Sequence, residues 1–342
     1  MNILHAGPFI VYPYALALAA GTALSLLVMK SLRAKFHLKA ETVEWFFLFA
    51  IPFSILGARI LYFLVSITWF IDRGIGTFFH FSEGGYMLYG AMAGTAAAAW
   101  LAGRVTHQAG SRILDCAAAP FALITAVARG AEYLVGIGLG EYTEEWFDPD
   151  LGRSFIQLED SSFFQRFPFS VQDADGYWRF PVFLLEMLVA LLIFLILLRV
   201  RTRREGTQAL LFLAMYAGLQ AFLESLRIDL ELRWGFVKIN QLMALPAMAV
   251  IFAVCVFRTP RNNRTLSLFA KPAGGILLCC GVIMAMEFAL EQKIGFLTWM
   301  RMDLCWIIMM AAAVVMAWLA CGMIRKSDLS FPEPEKTPDG RE

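Results

Sequence analysis

The sequence predicts an all-α, polytopic integral membrane protein, and three observations carry that prediction. Of the 342 residues 59% are hydrophobic and 17% are charged, whereas soluble domains sit nearer ~45–50% and ~25%. The apolar residues fall in blocks, many longer than the ~18–20 residues a helix needs to cross ~30 Å of hydrocarbon. The polar gaps between the blocks alternate in charge along the chain. A net charge of +1 supplies no overall basic field, so nucleic acid is not an expected partner.

The blocks define nine expected spans, near residues 8–29, 43–71, 85–103, 113–137, 181–199, 207–226, 239–257, 273–291 and 303–324. Lys30, Arg33, Lys35 and Lys39 follow the first, and Arg104 and Arg112 the third. Arg199, Arg201, Arg203 and Arg204 follow the fifth; Arg258, Arg261, Arg264 and Lys271 the seventh; Arg325 and Lys326 the ninth. The even-numbered exits lack this excess, and residues 138–180 carry nine Asp or Glu against three Arg and no Lys. Short cytoplasmic loops carry the Lys and Arg, so the amino terminus is expected outside and the carboxyl terminus in the cytoplasm.

Residues 138–180 interleave acids with Trp146, Phe147, Phe163, Phe164, Phe167 and Trp178, which suits an extracytoplasmic subdomain leaning on the interface. From Ser327 to Glu342 the chain is polar and holds Pro332, Pro334 and Pro338, the composition of a disordered cytoplasmic tail. Cys116, Cys255, Cys279, Cys280, Cys305 and Cys321 all lie in apolar blocks, with no CxxC and no histidine at ligand spacing. They read as buried thiols; no metal site and no cofactor is expected.

Ionisable residues inside a span cost at least ~2.5–3.5 kcal/mol on insertion scales, so each is a functional candidate. They are Arg59, Asp115, Arg129, Glu132, Glu186, Glu224, Arg227, Glu287 and Asp303. Arg129 follows an apolar run and has Glu132 at i+3, and Glu224 and Arg227 repeat that spacing, which places each pair on one helix face. Two readings stand side by side. The pairs are structural intrahelical salt bridges, or the two arginines line a cavity that holds an anion, in a membrane most commonly a phospholipid head group. Arginine suits phosphate because its planar fork binds bidentately and stays charged when partly desolvated. Gly84, Gly85, Gly90 and Gly94 around Tyr89, and Gly130, Gly136, Gly138 and Gly140 after Arg129, permit close backbone approach, as they also would in ordinary helix packing.

The run Ile239-Asn240-Gln241-Leu242-Met243-Ala244-Leu245-Pro246-Ala247-Met248 resembles the Gly-Gln-(Ile/Leu)-Leu-Ser-(Ile/Leu)-Pro-Met segment of the bacterial prolipoprotein diacylglyceryl transferases. Phe222-Leu223-Glu224-Ser225-Leu226-Arg227-Ile228-Asp229 is similar to the family's Arg-Phe-x-x-Glu-x-x-Arg-x-x-Asp run, with Gln220 where the first Arg belongs and the Asp one residue early. Asp115, followed by Arg129-Gly130, resembles the Asp-x-x-x-Pro…Gly-Arg-x-x-Asn signature. Gly57-Ala58-Arg59, Phe180-Pro181 with Glu186, Tyr14 and Met87-Leu88-Tyr89-Gly90-Ala91 match in order, the last against the family's Ser-Phe-His-Gly-Gly. The resemblance covers residues 8–258.

It implies a seven-span diacylglyceryl-transferase-like core over 1–258, two additional helices over 259–326 and the tail over 327–342. It also implies a bacterial plasma-membrane enzyme that moves the diacylglyceryl group of phosphatidylglycerol onto the lipobox cysteine in the signal peptide of a preprolipoprotein. The implied catalytic set is Arg129, Tyr89, Glu132 and Glu224. The implied lipid-binding set is Tyr14, Arg59, Gly90, Gly130, Glu186, Gln220, Arg227 and Gln241, with membrane lipids as surroundings. Tyr89 stands where the family has His, Glu132 where it has Asn, and Gln220 where it has Arg. Those departures keep two alternatives open: a related phospholipid-dependent transferase with another acceptor, and a non-catalytic lipid-binding scaffold.

Overall fold

A computed structural model of the chain describes residues 4–6, 9–81, 84–143, 163–228, 232–234, 237–259, 265–291 and 300–330. Its helices in chain order are α1 (Pro13–Leu32), α2 (Ala40–Val65), α3 (Ile67–Arg73), α4 (Leu88–Thr106) and α5 (Gly110–Ala131). They continue with α6 (Val182–Arg199), α7 (Thr207–Leu223), α8 (Ile239–Leu242), α9 (Ala244–Arg258), α10 (Thr265–Leu290) and α11 (Met302–Leu329). Three antiparallel two-stranded ribbons accompany them: β1 (Leu4–Ala6) with β2 (Phe9–Val11), β3 (Val171–Gln172) with β4 (Trp178–Arg179), and β5 (Arg233–Trp234) with β6 (Val237–Lys238).

Among the described residues, eight helical segments are long and apolar enough to cross a membrane. The expected third span is the exception. It forms α4, but its Ala, Gly and Thr contribute little hydropathy, and it is stabilised instead by close packing on α2. Where they cross, a Cβ on Gly94 would overlap the backbone of Phe53, and Ser54 and Thr95 share a hydrogen bond of 2.9 Å. Ala98, Ala99 and Ala102 are fully buried in the same seam. Small residues at a helix interface let backbones approach without any hydrophobic drive from the lipid.

The expected second span breaks at Ser66 into α2 and α3, and the eighth starts earlier than expected, at Thr265, with Pro272 inside the helix. The expected extracytoplasmic segment is described at 138–143 and 163–180, where it includes the β3–β4 ribbon; Trp146 and Phe147 lie outside the described residues. The polar stretch from Ser327 begins inside α11, which runs to Leu329, and residues 331–342 lie outside the described residues. Asp328 explains the longer helix. It is buried, and its carboxylate accepts hydrogen bonds from the Arg203 and Arg204 amides (3.1 and 2.9 Å) and from Thr207 Oγ1 (3.0 Å).

Helices α5 and α7 hold the middle of the bundle: α5 packs on α1, α4, α6 and α7, and α7 also packs on α9 and α11. At the end that carries the α6–α7 connection, Asp115 of α5 accepts hydrogen bonds from the amides of Gly206 (2.5 Å) and Ala209 (3.0 Å). It supplies from a neighbouring helix the cap that the first turn of α7 lacks locally. In the same connection Glu205 accepts from Arg112 and Ser111; burial raises its carboxyl pKa, but those bonds outweigh it and hold the pKa below the usual range. All six thiols are free, as expected; Cys116, Cys255, Cys279 and Cys305 are buried and Cys280 and Cys321 partly so.

Candidate active site

At the opposite ends of α5 and α7, three helix termini meet. Arg129 lies in the last turn of α5, which tightens into a 3-10 turn over Glu132–Val135 and stops at Gly136, in the left-handed region at φ 72°. Gly138 (φ 78°) brings the chain back so closely that a Cβ there would sit 2.8 Å from Glu132 Oε2 and 2.7 Å from Phe183 Cβ. Only glycine lets this loop close over the carboxylate. Helix α6 starts after Pro181 and presents Glu186 in its second turn. Helix α7 carries Gln220 near its end and passes into a 3-10 turn over Glu224–Leu226, with Arg227 immediately after.

The side chains form one connected network. Arg129 Nη1 donates to Glu132 Oε1 at 2.7 Å and lies 3.5 Å from Glu186 Oε2. Arg227 Nη1 reaches Glu186 Oε2 at 2.8 Å and Glu132 Oε2 at 2.9 Å. Gln220 Nε2 donates to Glu186 Oε1 at 2.7 Å and to Glu224 Oε2 at 2.8 Å. Asn240 Nδ2 donates to Glu224 Oε1 at 2.9 Å, and Lys238 Nζ donates to the carbonyls of Glu224 and Arg227. Two cations, Arg129 and Arg227, therefore face two carboxylates, Glu132 and Glu186, while Lys238 is held by backbone carbonyls and the Glu224 carboxylate by side-chain amides. Such burial is tolerable only because the charges are paired and hydrogen-bonded.

Arg129 is the incompletely satisfied member. A guanidinium has five N–H donors. Arg129 uses one on Glu132 and one on Tyr216 Oη at 3.0 Å, which leaves three without a hydrogen bond among the described residues. Its side chain is 14% exposed, against 1% for Glu186 and 6% for Arg227. Beside it, Tyr216 meets Tyr89 edge to face with ring centroids 6.2 Å apart, and the Tyr89 hydroxyl is buried without a hydrogen-bond partner. Tyr14 of α1 lies within electrostatic reach of Glu132, Arg129 and Arg227. An open guanidinium edge, a carboxylate and an unpaired phenol at one spot can hold a phosphodiester and accept a proton from an incoming nucleophile.

Of the residues singled out in the sequence, Arg129, Glu132, Glu186, Gln220, Glu224 and Arg227 are brought into the network, with Tyr89 and Tyr14 beside it. Arg59 is not. Its five N–H groups go to the carbonyls of Phe78 (3.0 Å), Thr77 (2.9 Å), His80 (3.2 Å), Gly85 (3.2 Å) and Gly84, and the guanidinium stacks on Tyr62, Phe70 and Tyr86. Gly90 lies in the α2–α4 seam, and Gly130 faces Met187 of α6. Gln241 donates to the Ala221 carbonyl (3.1 Å) and to Glu287 Oε1 (2.5 Å) and touches neither arginine.

Tyr216, Lys238 and Asn240 escaped the sequence reading. Tyr216 sits in an uninterrupted apolar helix, where a tyrosine looks like core. Lys238 stands at the foot of a span, where a lysine looks like a snorkelling end residue. Near the site the β3–β4 ribbon leads into α6; there Asp173 accepts from Arg179 at 2.5 Å and from the amides of Asp175 and Tyr177 at 3.0 Å. Burial raises the Asp173 carboxyl pKa, and those bonds outweigh it and hold it below the usual range. Among the described residues no three His, Cys, Asp or Glu side chains gather as a metal site.

Comparison with known proteins gives this arrangement a context. The family model of prolipoprotein diacylglyceryl transferases matches residues 1–257. The phosphatidylglycerol–prolipoprotein diacylglyceryl transferase of Listeria monocytogenes serotype 4b is 26% identical over 253 residues, 73% of this chain and 86% of that protein. The enzyme of the same name from Enterococcus faecalis is 26% identical over 267 residues, 76% of this chain and 90% of the relative. That of Bacillus cytotoxicus is 26% identical over 268 residues, 76% and 93%. The match ends where α9 ends, so α10 and α11 lie beyond it.

Proposed function

The chain belongs to the prolipoprotein diacylglyceryl transferase family, and from that premise we propose that it transfers the diacylglyceryl group of phosphatidylglycerol to the lipobox cysteine of preprolipoproteins in the bacterial plasma membrane. The observation that carries this reading is Arg129: a part-buried guanidinium with two donors engaged and three open among the described residues, at the meeting point of α5, α6 and α7. In the transfer the cysteine sulfur forms a bond to the glyceryl carbon, the carbon–oxygen bond to phosphate breaks, the bonding pair leaves with the phosphate oxygen as glycerol phosphate, and the thiol proton goes to a base.

In this reading Arg129 binds the phosphodiester and stabilises the charge that develops on the leaving phosphate. Arg227 and Gln220 hold Glu186 and Glu224, and so fix the face of the network toward which the head group comes. Glu132 is the better proton acceptor of the two candidates, since a carboxylate needs no prior ionisation at neutral pH whereas a phenol of ordinary pKa ~10 does. Tyr89 then serves as a hydrogen-bond donor to the lipid through its unpaired hydroxyl. The basic loops after the odd spans support an amino terminus outside and a carboxyl terminus in the cytoplasm, and with that orientation the site faces the outer leaflet.

A second reading, a structural ion-pair network in a lipid-binding scaffold, is favoured by the even balance of Arg129 and Arg227 against Glu132 and Glu186. The experiment that separates them is complementation of a transferase-depleted bacterium with this chain, followed by mass analysis of a reporter lipoprotein. Addition of one diacylglyceryl mass to the reporter is the expected result. A reporter left at its unmodified mass, with the chain present in the membrane, would reject transfer and leave the scaffold.

A further inference from the structure

The network does not end at the boundary of the family match. Glu287 projects from the last turn of α10 and is buried, and its Oε1 accepts from Gln241 Nε2 at 2.5 Å. The same nitrogen donates to the Ala221 carbonyl of α7 at 3.1 Å. With its amide nitrogen engaged twice, Gln241 is left with Oε1, buried and without a hydrogen-bond partner. The orientation of this amide is therefore dictated from two sides, one of them a helix outside the matched core. Gln241 sits in α8, a single turn, and its neighbour Asn240 donates to Glu224 Oε1, whose other oxygen accepts from Gln220. Gln220 in turn holds Glu186, and Glu186 faces both arginines.

We propose that Glu287 is a positioning residue for this site: α10 completes the wall of the transferase core by orienting Gln241, and thereby holds α8 and Asn240 on Glu224. This rests on the transferase reading above. Helix α8 is tied to α9 by the Met243 amide, which donates to the Ile239 carbonyl at 3.0 Å, and the hydrogen bonds at its two polar side chains set how its single turn faces Glu224 and Ala221. A carboxylate is suited to the task because a charge-assisted bond holds an amide more firmly than a neutral one. Breaking the Glu287–Gln241 bond leaves the arginines untouched and loosens the far side of the network.

The test is a double-mutant cycle on full-length protein in detergent, reading transfer from phosphatidylglycerol to a lipobox peptide, phosphatidylglycerol binding and thermal midpoint. Glu287→Leu should lower kcat about tenfold, the size expected from losing one positioning hydrogen bond, with KM within about twofold. Glu287→Gln, which keeps an acceptor oxygen, should recover most of it. Glu287→Leu combined with Gln241→Leu should be no slower than Gln241→Leu alone, because the carboxylate acts through that amide. Additive losses, or Glu287→Gln as slow as Glu287→Leu, would overturn the proposal. A wild-type chain that transfers nothing would defeat the transferase reading instead. The Glu287 claim would then be judged on phosphatidylglycerol binding, where the same non-additivity supports it and additivity rejects it.

Discussion

Two arginines, Arg59 of α2 and Arg129 in the last turn of α5, belong to helices long and apolar enough to cross a membrane, and both were candidates on the same ground. Arg59 is the more buried, at 2% exposure, and all five of its N–H groups meet backbone carbonyls of the 77–85 segment. Arg129 has two of five engaged and is flanked by carboxylates and phenols. Burial of charge alone does not mark a functional residue. What separates them is remaining donor capacity: one guanidinium is consumed in holding a loop against α2, and the other keeps donors without a hydrogen bond among the described residues, the edge proposed above to take the phosphodiester. Asp115 makes the same point among the acids, being buried yet absorbed in capping α7.

That contrast can be broken most sharply at Arg129. The double change Arg129→Ala with Glu132→Gln removes the charge pair as a unit, so the fold is relieved of an unpaired carboxylate. Transfer should still fall by ~100-fold or more, the range for loss of a preorganised charge stabiliser. Near-normal transfer by purified protein would reduce the pair to structure. At Arg59 the weight moves to stability. Arg59→Leu strips five carbonyls of their donor, each worth ~1–3 kcal/mol when buried and unsatisfied, with incomplete additivity. A net loss of ~3 kcal/mol lowers the thermal midpoint by roughly 5–10 °C. Transfer per folded molecule should stay within about threefold.

A smaller effect is expected at Tyr89. Its hydroxyl has no partner to lose, so Tyr89→Phe should leave the thermal midpoint unchanged or slightly higher, while transfer falls about tenfold if the hydroxyl bonds the lipid in the transition state. A drop in stability with unchanged rate would refute that role. The smallest effect concerns a third arginine, Arg179, whose partner Asp173 has a depressed pKa from its hydrogen bonds. The stability this pair contributes is fully present above the ordinary carboxyl pKa of ~3.9 and is lost as pH falls below it, through the lower folded-state value. Melting curves should therefore show Asp173→Asn lying under wild type at pH 6 and converging on it only as the pH is lowered past the depressed folded-state value.

Much of the bundle was legible in the sequence because lipid imposes a simple length and polarity rule, and α6, α7, α9 and α11 follow the apolar runs closely, whereas the first span, expected over 8–29, is a strand at Phe9–Val11 and becomes helix only at Pro13. The i, i+3 spacing of Arg129 with Glu132 and of Glu224 with Arg227 singled out four residues that the structure gathers into one network. Which of the buried charges belong together was not legible, since Glu186 and Gln220 meet across 34 positions of sequence and nothing local signals it. Nor did the sequence tell Arg59 from Arg129, because the acceptors that saturate Arg59 are backbone carbonyls, which every residue carries. Helix α4 was placed from its apolar block, but it packs on α2 through small residues and close glycine contact, which hydropathy does not measure.

The most direct measurement compares Arg129→Lys with Arg59→Lys in one assay, transfer of the diacylglyceryl group to a lipobox peptide per folded molecule, read by mass. Lysine keeps the charge at both sites and removes the planar fork. The account predicts that Arg129→Lys retains the wild-type thermal midpoint and loses transfer by ~100-fold or more, and that Arg59→Lys melts several degrees lower yet transfers near the wild-type rate. Equal transfer by the two variants, each reduced only in proportion to its folded fraction, would contradict it.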